Sequence, residues 1–365
     1  MKKIFIVAGE LSGDKTGAWY VNRLSERDVY LEAVGGNYLQ QAGAHLYERF
    51  EALNVVGIVE IVRHLRRLLS FLKKLANHII EQNFDEVVLV DFPGFNLRLA
   101  QALKKRCPDV KITYLSPPQL WCWGAWRIKT IRQYCDRVIV LYPFEVAWYG
   151  ARGVQAEWLG CPVYDRVQPY FENMRTKQPK VALIAGSRPS ELATLFPVVA
   201  DVAARLAQEF PELKFVIPQA ESLDINEVRC ALATSALRNY QYRVEIVSGA
   251  QSLAALSSCS LAISKPGTIT LELALLNIPT VVLFKISWLS YWLGRMVVNI
   301  KNMALPNLLS TDVVCKEFIQ QDCQPAVIAQ YAAHLYKKSV RSNYAHPQHD
   351  QLFTALRAQL TPPQS

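Results

Sequence analysis

Short apolar runs alternate with longer amphipathic stretches along most of this chain, and the alternation predicts its secondary structure. The short runs predict buried strands over residues 3–8, 29–34, 87–90, 111–115, 137–141, 180–185, 214–217, 243–247, 260–264 and 280–284. Apolar residues at helical spacing predict helices between them, including those over residues 16–24, 61–76, 97–105, 144–149, 191–208 and 326–338. Strands that alternate with helices indicate an α/β fold with parallel, doubly wound sheets.

The chain has 365 residues, which is the length of two domains of ordinary size. Gln168–Lys180 is polar and contains two prolines, so it is the best candidate for a linker. We therefore predict a first domain over residues 1–167, a second over 168–340, and a tail over 341–365 whose helix packs back onto the first domain.

Composition narrows the class of protein. Hydrophobic residues make up 51% of the chain and charged residues 19%, so it can build two cores and is not disordered. The net charge of +9 favours an anionic partner, but neither zinc-finger spacing nor a basic tail indicates nucleic acid. The eight cysteines include no Cys-x-x-Cys pair, which favours reduced core cysteines and a cytoplasmic setting over a metal or redox site. Because no apolar run reaches about 18 residues, we expect no transmembrane helix.

One strand–loop–helix stretch, Ser264–Glu272, suggests a nucleotide site. Pro266 and Gly267 end the strand, and the Thr268 hydroxyl can cap the helix that follows. Backbone N–H groups at a helix start attract phosphate, and Glu272, one turn later, could accept the two vicinal hydroxyls of a ribose. The alternative is an ordinary connection with a surface glutamate.

Three further loops follow predicted strands and carry candidate chemistry. Arg188 lies after the strand over 180–185 and could pair with a diphosphate, although such loops often carry a surface arginine. Asp91 follows the strand over 87–90 and could act as a general base or only hydrogen-bond its own turn. The loop Gly9–Asp14 lies at the carboxyl end of the first strand, where open α/β sheets place ligands.

The helix predicted over residues 61–76 is amphipathic and strongly basic. Its apolar stripe is opposed by Arg63, Arg66, Arg67, Lys73 and Lys74. Such a helix can lie on an anionic membrane, or it can pack on the core and leave its basic face in solvent.

Eight sequence strings carry a resemblance to a known family. In chain order they are Ala8–Asp14, Asn54–Glu60, Asp91–Arg98, Ser116–Pro117 with Trp121 and Trp123, Pro143–Glu145, Gly186–Arg188 with Glu191, Gly267–Thr268 with Thr270–Glu272, and Leu305–Leu309. Together they resemble the lipid-A-disaccharide synthase family, whose members are GT-B glycosyltransferases. The resemblance runs from Val7 to about Gln324. It implies two Rossmann-like doubly wound domains that face each other across a cleft, the first on the acceptor and membrane side and the second binding the UDP-sugar.

The resemblance also implies a reaction. Members of the family join UDP-2,3-diacylglucosamine to 2,3-diacylglucosamine 1-phosphate with inversion, which gives a β-1,6-linked disaccharide 1-phosphate and UDP. They are peripheral enzymes on the cytoplasmic face of the inner membrane and need neither metal nor cofactor. We therefore expect a UDP-sugar donor, a lipid acceptor and an anionic membrane surface as partners. The alternatives are another UDP-sugar lipid glycosyltransferase, with a diacylglycerol or peptidoglycan-precursor acceptor, and a non-catalytic UDP-sugar-binding homologue.

Site residues follow from the resemblance together with position in the chain. The catalytic residues would be Asp91 as base, Glu10 as the rival base, and Arg188 as the cation that stabilises the leaving UDP. The UDP-binding residues would be Gly186, Ser187, Arg188, Gly267, Thr268, Glu272 and Asn307. Ser12 and Asp14 would face the acceptor. Acylated substrates make membrane contact the favoured interpretation of the basic helix, through Arg63, Arg66, Arg67, Leu68, Leu69, Leu72 and Lys73.

Two positions depart from the family pattern. The family usually has Gly-His-Pro where this chain has Gly160-Cys161-Pro162. It usually has Ser-Gly-Thr where this chain has Pro266-Gly267-Thr268. Both departures bear on substrate choice more than on the fold.

Overall fold

The computed structural model describes residues 1–24, 28–50, 61–172, 177–286, 291, 302–310, 312–341 and 347–362, without the side chains of residues 61–65, 250, 341 and 347–349. These residues form two compact units, one of Met1–Pro162 with the chain end from Pro362, and one of Val163–Thr361. The family-like string Asn54–Glu60 lies outside the described residues.

The first unit is a seven-stranded parallel sheet with helices between its strands. Its strands are β1 (Lys2–Ala8), β2 (Val29–Gly35), β3 (His45–Arg49), β4 (Glu86–Val90), β5 (Lys111–Leu115), β6 (Arg137–Val140) and β7 (Ala156–Trp158). Its helices are α1 (Leu11–Val21), α2 (Asn37–Gln41), α3 (Ile61–Glu81), α4 (Pro93–Arg106), α5 (Ile128–Tyr134) and α6 (Pro143–Gly150). The strand order is β3-β2-β1-β4-β5-β6-β7.

Strand β1 lies in the interior of this sheet, between β2 and β4, and is apolar on both faces. Ile4, Phe5, Ile6 and Val7 are all fully buried, as expected for a parallel strand covered by helices on each side. The two faces of the sheet belong to two separate hydrophobic clusters, so the unit has three layers.

The second unit begins within α7 (Pro162–Val167) and contains a six-stranded parallel sheet. Its strands are β8 (Gln178–Ile184), β9 (Lys214–Pro218), β10 (Val244–Val247), β11 (Cys259–Ser264), β12 (Thr280–Phe284) and β13 (Lys316–Ile319). Its further helices are α8 (Pro189–Glu209), α9 (Ile225–Thr234), α10 (Ser252–Ser257), α11 (Thr268–Leu275), α12 (Leu305–Leu309), α13 (Pro325–Arg341) and α14 (Pro347–Leu360). The strand order is β10-β9-β8-β11-β12-β13, so the predicted α/β fold with two doubly wound sheets is confirmed.

Each sheet has one point at which the strand order reverses. In the first unit the chain moves from β1 to β2 and β3 on one side, and then crosses to β4 on the other side. In the second unit it moves from β8 to β9 and β10, and then crosses to β11. Ligands of doubly wound sheets bind outside the carboxyl ends of the strands at this switch point. We therefore expect ligand-binding residues in the loops after β1 and β4 in the first unit, and after β8 and β11 in the second.

Some elements differ from the predicted ones. Helix α1 begins at Leu11, whereas the sequence pattern predicts a loop over Gly9–Asp14 and a helix only from residue 16. Strands β3, β7 and β13 are not predicted; all three are short edge strands, and the exposed polar residues that suit a sheet edge hide the alternating pattern.

The C-terminal helix α14 belongs to the second unit. Arg357 Nε donates to the Leu275 carbonyl at 2.9 Å, and Asn277 Nδ2 donates to Asp350. Helix α14 thus packs beside α11 within the second unit, whereas the end from Pro362 groups with the first unit. The packing of the tail helix onto the first domain stays a prediction. The unit boundary falls at residues 162 and 163, while the sequence places it after residue 167.

Candidate functional site

Asp91 lies in a strained turn at the end of β4. Asp91 and Phe92 both have φ of +46°, in the left-handed region that non-glycine residues rarely adopt. The turn is held by its own neighbours, because the Asp91 carbonyl accepts from Asn96 Nδ2 at 2.8 Å and from the Tyr114 hydroxyl at 3.1 Å. Strain that the surroundings maintain in this way is typical of functional positions.

The loop after β1 packs directly against this turn. The Phe92 ring covers Gly9, and a Cβ at position 9 would lie 2.4 Å from Phe92 Cγ. Only glycine fits there, and the close approach joins the loops that follow β1 and β4 at the switch point of the first sheet.

The carboxyl of Asp91 has an unusual acidity. Burial raises its pKa, the negative charge of Glu10 raises it further, and a backbone hydrogen bond at Phe92 partly opposes both, which leaves the pKa at about 6. A carboxylate with this pKa is ionised at neutral pH and is a stronger base than an ordinary aspartate. It can therefore accept a proton from a hydroxyl group. The predicted candidates Asp91 and Glu10 are thus close enough to interact.

The two polar residues predicted to face an acceptor differ in their surroundings. Ser12 lies in the first turn of α1, and its Oγ donates to Glu10 Oε1 at 2.8 Å. Asp14 is fully buried, and its carboxylate accepts from the backbone N–H groups of Gly36, Tyr38 and Leu39. Asp14 therefore connects α1 to the start of α2, and the prediction that it faces the acceptor is corrected to this structural role.

In the second unit, the loop after β8 is built around Glu191. Gly186 has φ of +144°, and a Cβ there would lie 2.5 Å from the Glu191 side chain. Glu191 Oε2 accepts from the Ser187 N–H at 2.9 Å. Arg188 is exposed and occupies the N-cap position of α8. The predicted residues Gly186, Ser187 and Arg188 thus lie together at the switch point of the second sheet.

The loop after β11 supplies the second half of this site. Gly267, with φ of +137°, is the N-cap residue of α11, and Thr268 is the first residue of the helix. Because the N-cap residue is a glycine, no side chain caps the helix there. Thr270 Oγ1 instead donates back to the Gly267 carbonyl at 2.7 Å. The prediction that the Thr268 hydroxyl caps this helix is therefore wrong, because Thr268 lies inside the helix and is exposed.

Lys265 connects the two loops of the second unit. Its Nζ lies 2.7 Å from Glu191 Oε1. Burial alone would raise the pKa of Glu191, but hydrogen bonds from Lys265 and from the Ser187 N–H outweigh it, and the pKa is lowered. Glu191 is therefore a carboxylate at neutral pH. The sequence pattern predicts no role for Lys265, although its place just before the strand-breaking Pro266 could have indicated one.

Glu272 forms an ion pair that the sequence did not predict. Its Oε1 accepts from Arg166 Nη2, and the Glu272 side chain is only 12% exposed. Arg166 lies in α7, 106 positions away in the sequence. Glu272 thus has one of its carboxylate oxygens held in place by a guanidinium.

The side-chain amide of Asn307 makes all of its hydrogen bonds to other groups of the protein. Its Nδ2 donates to the Cys315 carbonyl and to Glu317 Oε1, both at 2.7 Å. Its Oδ1 accepts from the N–H groups of Val314 and Cys315, both at 2.8 Å. Two donors and two acceptor positions are the full capacity of an amide. The side chain has nothing left for a nucleotide, so the prediction that Asn307 binds UDP is corrected to a structural role.

Helix α3 packs most of its apolar stripe on one face of the sheet of the first unit. Leu68 and Leu72 contact the hydrophobic cluster on that face of the sheet, so the prediction that they face a membrane is corrected. Leu69 is 47% exposed. The basic residues that remain exposed beside it are Arg66, Arg67, Lys73 and Lys74. The side chain of Arg63 lies outside the described part of the helix.

An exposed aromatic group lies in the loop after β5. Trp123 and Trp126 are 40% and 62% exposed and contact each other edge to face. The Arg127 guanidinium lies 4.2 Å from the centre of the Trp123 ring. Trp121 is different, because its Nε1 donates to the buried carboxyl of Glu145 at 2.9 Å. The loop therefore has one structural tryptophan and two that are available to an apolar partner.

Three further expectations from the sequence concern Cys161, a metal site and a membrane-spanning helix. Cys161, where the family usually has histidine, is fully buried. Among the residues that the structure describes, no group of three or more His, Cys, Asp or Glu side chains could hold a metal ion. Within the same part of the chain, no helix combines the length and apolar character needed to cross a membrane.

The fold defines the general class, which is that of proteins with two doubly wound α/β units of the GT-B type. A UDP-GlcNAc 2-epimerase from Neisseria meningitidis, solved with UDP-GlcNAc, has a TM-score of 0.63 at 11% identity, covering 97% of this chain and 94% of its own. A spinosyn rhamnosyltransferase, solved with thymidine diphosphate, has a TM-score of 0.59 at 14% identity, covering 97% and 96%. Similarity at this level of identity concerns the fold alone.

The sequence comparisons define the family. The family model described as lipid-A-disaccharide synthetase matches residues 4–361. The lipid-A-disaccharide synthase of Nitrosococcus oceani is 32% identical over 348 residues, covering 93% of this chain and 88% of the relative. That of Geobacter sulfurreducens is 33% identical over 339 residues, covering 90% and 86%. The chain belongs to the lipid-A-disaccharide synthase family of glycosyltransferases, and the resemblance predicted from its sequence strings is confirmed.

Proposed function

We propose that this chain transfers 2,3-diacylglucosamine from UDP to the 6-hydroxyl of 2,3-diacylglucosamine 1-phosphate. The product is a β-1,6-linked disaccharide 1-phosphate, formed with inversion at the anomeric carbon and without a metal ion. The observation that carries the proposal is the family match from residue 4 to residue 361, which includes both switch-point sites.

Asp91 is the general base in this proposal. It takes the proton of the acceptor hydroxyl as that oxygen attacks the anomeric carbon and the bond to the UDP oxygen breaks. Support comes from its pKa of about 6 and from the turn that fixes its position. Glu10 raises the pKa of Asp91 and, with Ser12, lies beside the acceptor.

The UDP binds in the second unit in this proposal. The N–H groups at Gly267 and Thr268 and the loop Gly186–Arg188 contact the diphosphate, and the electron pair released to the UDP oxygen is stabilised by Arg188 and the start of α11. Glu272, oriented by Arg166, accepts the ribose hydroxyls. Support for a nucleotide comes from the neighbours of the same fold that were solved with UDP-GlcNAc and with thymidine diphosphate.

Peripheral binding to the cytoplasmic face of the inner membrane is part of the proposal. The exposed Leu69 with Arg66, Arg67 and Lys73 offers one apolar side chain among several cations. Cations near an anionic bilayer each contribute about 1 kcal/mol to binding, and a single leucine adds apolar burial. The acylated substrates are held in such a surface.

One assay tests the reaction and its metal independence together. Purified protein in detergent and EDTA is given diacylated UDP-glucosamine and diacylated glucosamine 1-phosphate; UDP release is measured, and mass spectrometry looks for the disaccharide 1-phosphate. Product in EDTA is the expected result. Activity that appears only after Mg²⁺ is restored would contradict metal independence. UDP binding without product would favour a different lipid acceptor or a binding protein without activity.

A further inference from the structure

Lys265 is a cation at the switch point of the second sheet, but it lies outside the sequence strings shared with the family. Its backbone N–H donates to the Ile184 carbonyl at 2.9 Å, which ties the residue to the end of β8. Its Cε is the nearest atom to the open side of Gly267, 3.8 Å from where a Cβ would lie. Its ammonium then reaches Glu191 at 2.7 Å. The charge therefore lies between the two glycine loops.

The ion pair between Lys265 and Glu191 is accessible from solvent. Their side chains are 22% and 24% exposed. Glu191 also accepts the Ser187 N–H, and its side chain closes the space above Gly186. A partly exposed ion pair stabilises a protein by only about 0–1 kcal/mol, so its cation can change partners at little cost.

We propose that Lys265 is a diphosphate-binding residue whose ammonium leaves Glu191 for a phosphate oxygen when the nucleotide binds. This inference rests on the proposed function, because it requires a nucleoside diphosphate at the switch point of the second sheet. Glu191 holds Lys265 in position in the empty site. In the occupied site its carboxylate keeps only the Ser187 N–H and the start of α8.

Lys265 then contributes to bond breaking. As the bond between the anomeric carbon and the β-phosphate oxygen breaks, the electron pair stays on that oxygen. An ammonium held beside the oxygen stabilises the new charge, as a fixed cation does in other phosphate sites. Together with Arg188, it supplies two cations to a leaving group that, in the proposed reaction, receives none from a metal.

The two members of the ion pair give opposite predictions, and this separates a binding role from a structural one. Lys265→Gln removes a cation from the diphosphate, so UDP affinity should fall about 10- to 100-fold, UMP affinity less, and uridine affinity not at all. Glu191→Gln keeps an oxygen for the Ser187 N–H and removes the competing carboxylate. Its UDP affinity should equal or exceed that of the wild type.

Calorimetry of the full chain with UDP, UMP and uridine measures these affinities, and thermal unfolding measures stability. Arg188→Ala serves as a second variant that lacks a cation on the same loop. Equal losses of UDP and uridine affinity in Lys265→Gln and Glu191→Gln, with a lower Tm in both, would mean that the pair only braces the loops and would overturn the proposal. Unchanged UDP affinity in Lys265→Gln would overturn it as well, while the proposed function stands. Wild-type protein that binds no UDP would overturn both.

Discussion

At the scale of single residues, Asp91 combines a left-handed backbone with a carboxyl whose pKa is about 6. Its sequence position after an apolar run predicted a polar group at a strand end, and this much the pattern can show. The raised pKa depends on burial and on Glu10, which lies in a different loop, far earlier in the chain. Likewise, Arg166 beside Glu272 and Glu317 beside Asn307 are contacts made by folding, and no local sequence pattern could have indicated them.

Replacement of Asp91 should separate activity from stability. Asp91→Asn removes the proposed base, and turnover should fall by about 10²- to 10⁴-fold while UDP affinity is retained. The raised pKa means that the ionised carboxylate destabilises the folded state, with a penalty that grows from about pH 4 to about pH 6 and is complete above pH 6. The Asp91→Asn substitution should therefore add about 1–3 kcal/mol to the free energy of unfolding at pH 8 and much less at pH 4. Initial rates measure turnover, calorimetry measures UDP affinity, and urea unfolding at both pH values measures stability. Near-normal turnover would remove Asp91 from the role of base.

The pH profile should report the same group. Because the proposed mechanism requires an ionised Asp91, kcat/KM should fall as the pH drops through about 6. Glu10→Gln removes the neighbouring negative charge, so the midpoint of this acid limb should move to lower pH. Ser12→Ala, which removes only a hydrogen bond to Glu10, is the matched control and should move the midpoint less. An unmoved midpoint in Glu10→Gln would show that the limb belongs to a different group.

At the scale of elements, the buried strands and the amphipathic helices were predictable, but what each helix faces was not. The apolar periodicity of α3 is the same whether its stripe covers a sheet or a membrane. Only the packing of Leu68 and Leu72 on the first sheet decides between the two, and it leaves Leu69 on the outside. Short edge strands such as β13 were not predicted, because a strand with one buried residue in four shows no alternation of apolar and polar positions.

The leucines of α3 should therefore respond differently to the same substitution. Leu72→Ser should lower the free energy of unfolding by about 1–3 kcal/mol because it leaves apolar contacts unfilled, whereas Leu69→Ser should leave stability nearly unchanged. Urea unfolding of the two variants measures this difference.

The exposed face of α3 should bind anionic vesicles. Leu69→Ser combined with Arg66, Arg67 and Lys73 to Gln should weaken this binding about tenfold or more. Lys214, Arg229 and Arg238, exposed on the second unit, provide a control triple with the same loss of charge. Equal vesicle binding by both charge variants would show that α3 is not a membrane contact.

At the scale of the whole molecule, two units with similar sheets carry different chemistry at equivalent switch points. The first has the carboxylates Glu10 and Asp91 at its switch point, and the second has the cations Arg188 and Lys265 together with the carboxylate Glu191. The repetition of strand and helix predicted the two sheets. It could not predict where the second unit begins, because α7 continues across the boundary without a polar break.

This division of chemistry predicts a division of ligand protection. UDP should slow amide hydrogen exchange at residues 186–191 and 265–272, and should leave residues 9–12 and 91–96 unaffected. The acylated glucosamine 1-phosphate should do the reverse. At a UDP concentration about 100 times its Kd, the second unit should gain about 2.7 kcal/mol in stability. Hydrogen-exchange mass spectrometry measures both effects, and protection by UDP at the first switch point instead would reverse the proposed assignment of the two units.

The close contact between Phe92 and Gly9 has a consequence for how this sequence can change over generations. Position 9 has no room for even one added carbon while a phenyl ring occupies the space above it. A larger residue at 9 can be accepted only after the ring at 92 has been replaced by a smaller side chain, and that step would first open a gap beside Asp91. Evolution should thus have kept the two positions fixed together or changed them together. A library in which both codons are randomised should return paired solutions, with larger residues at 9 accompanied by smaller ones at 92.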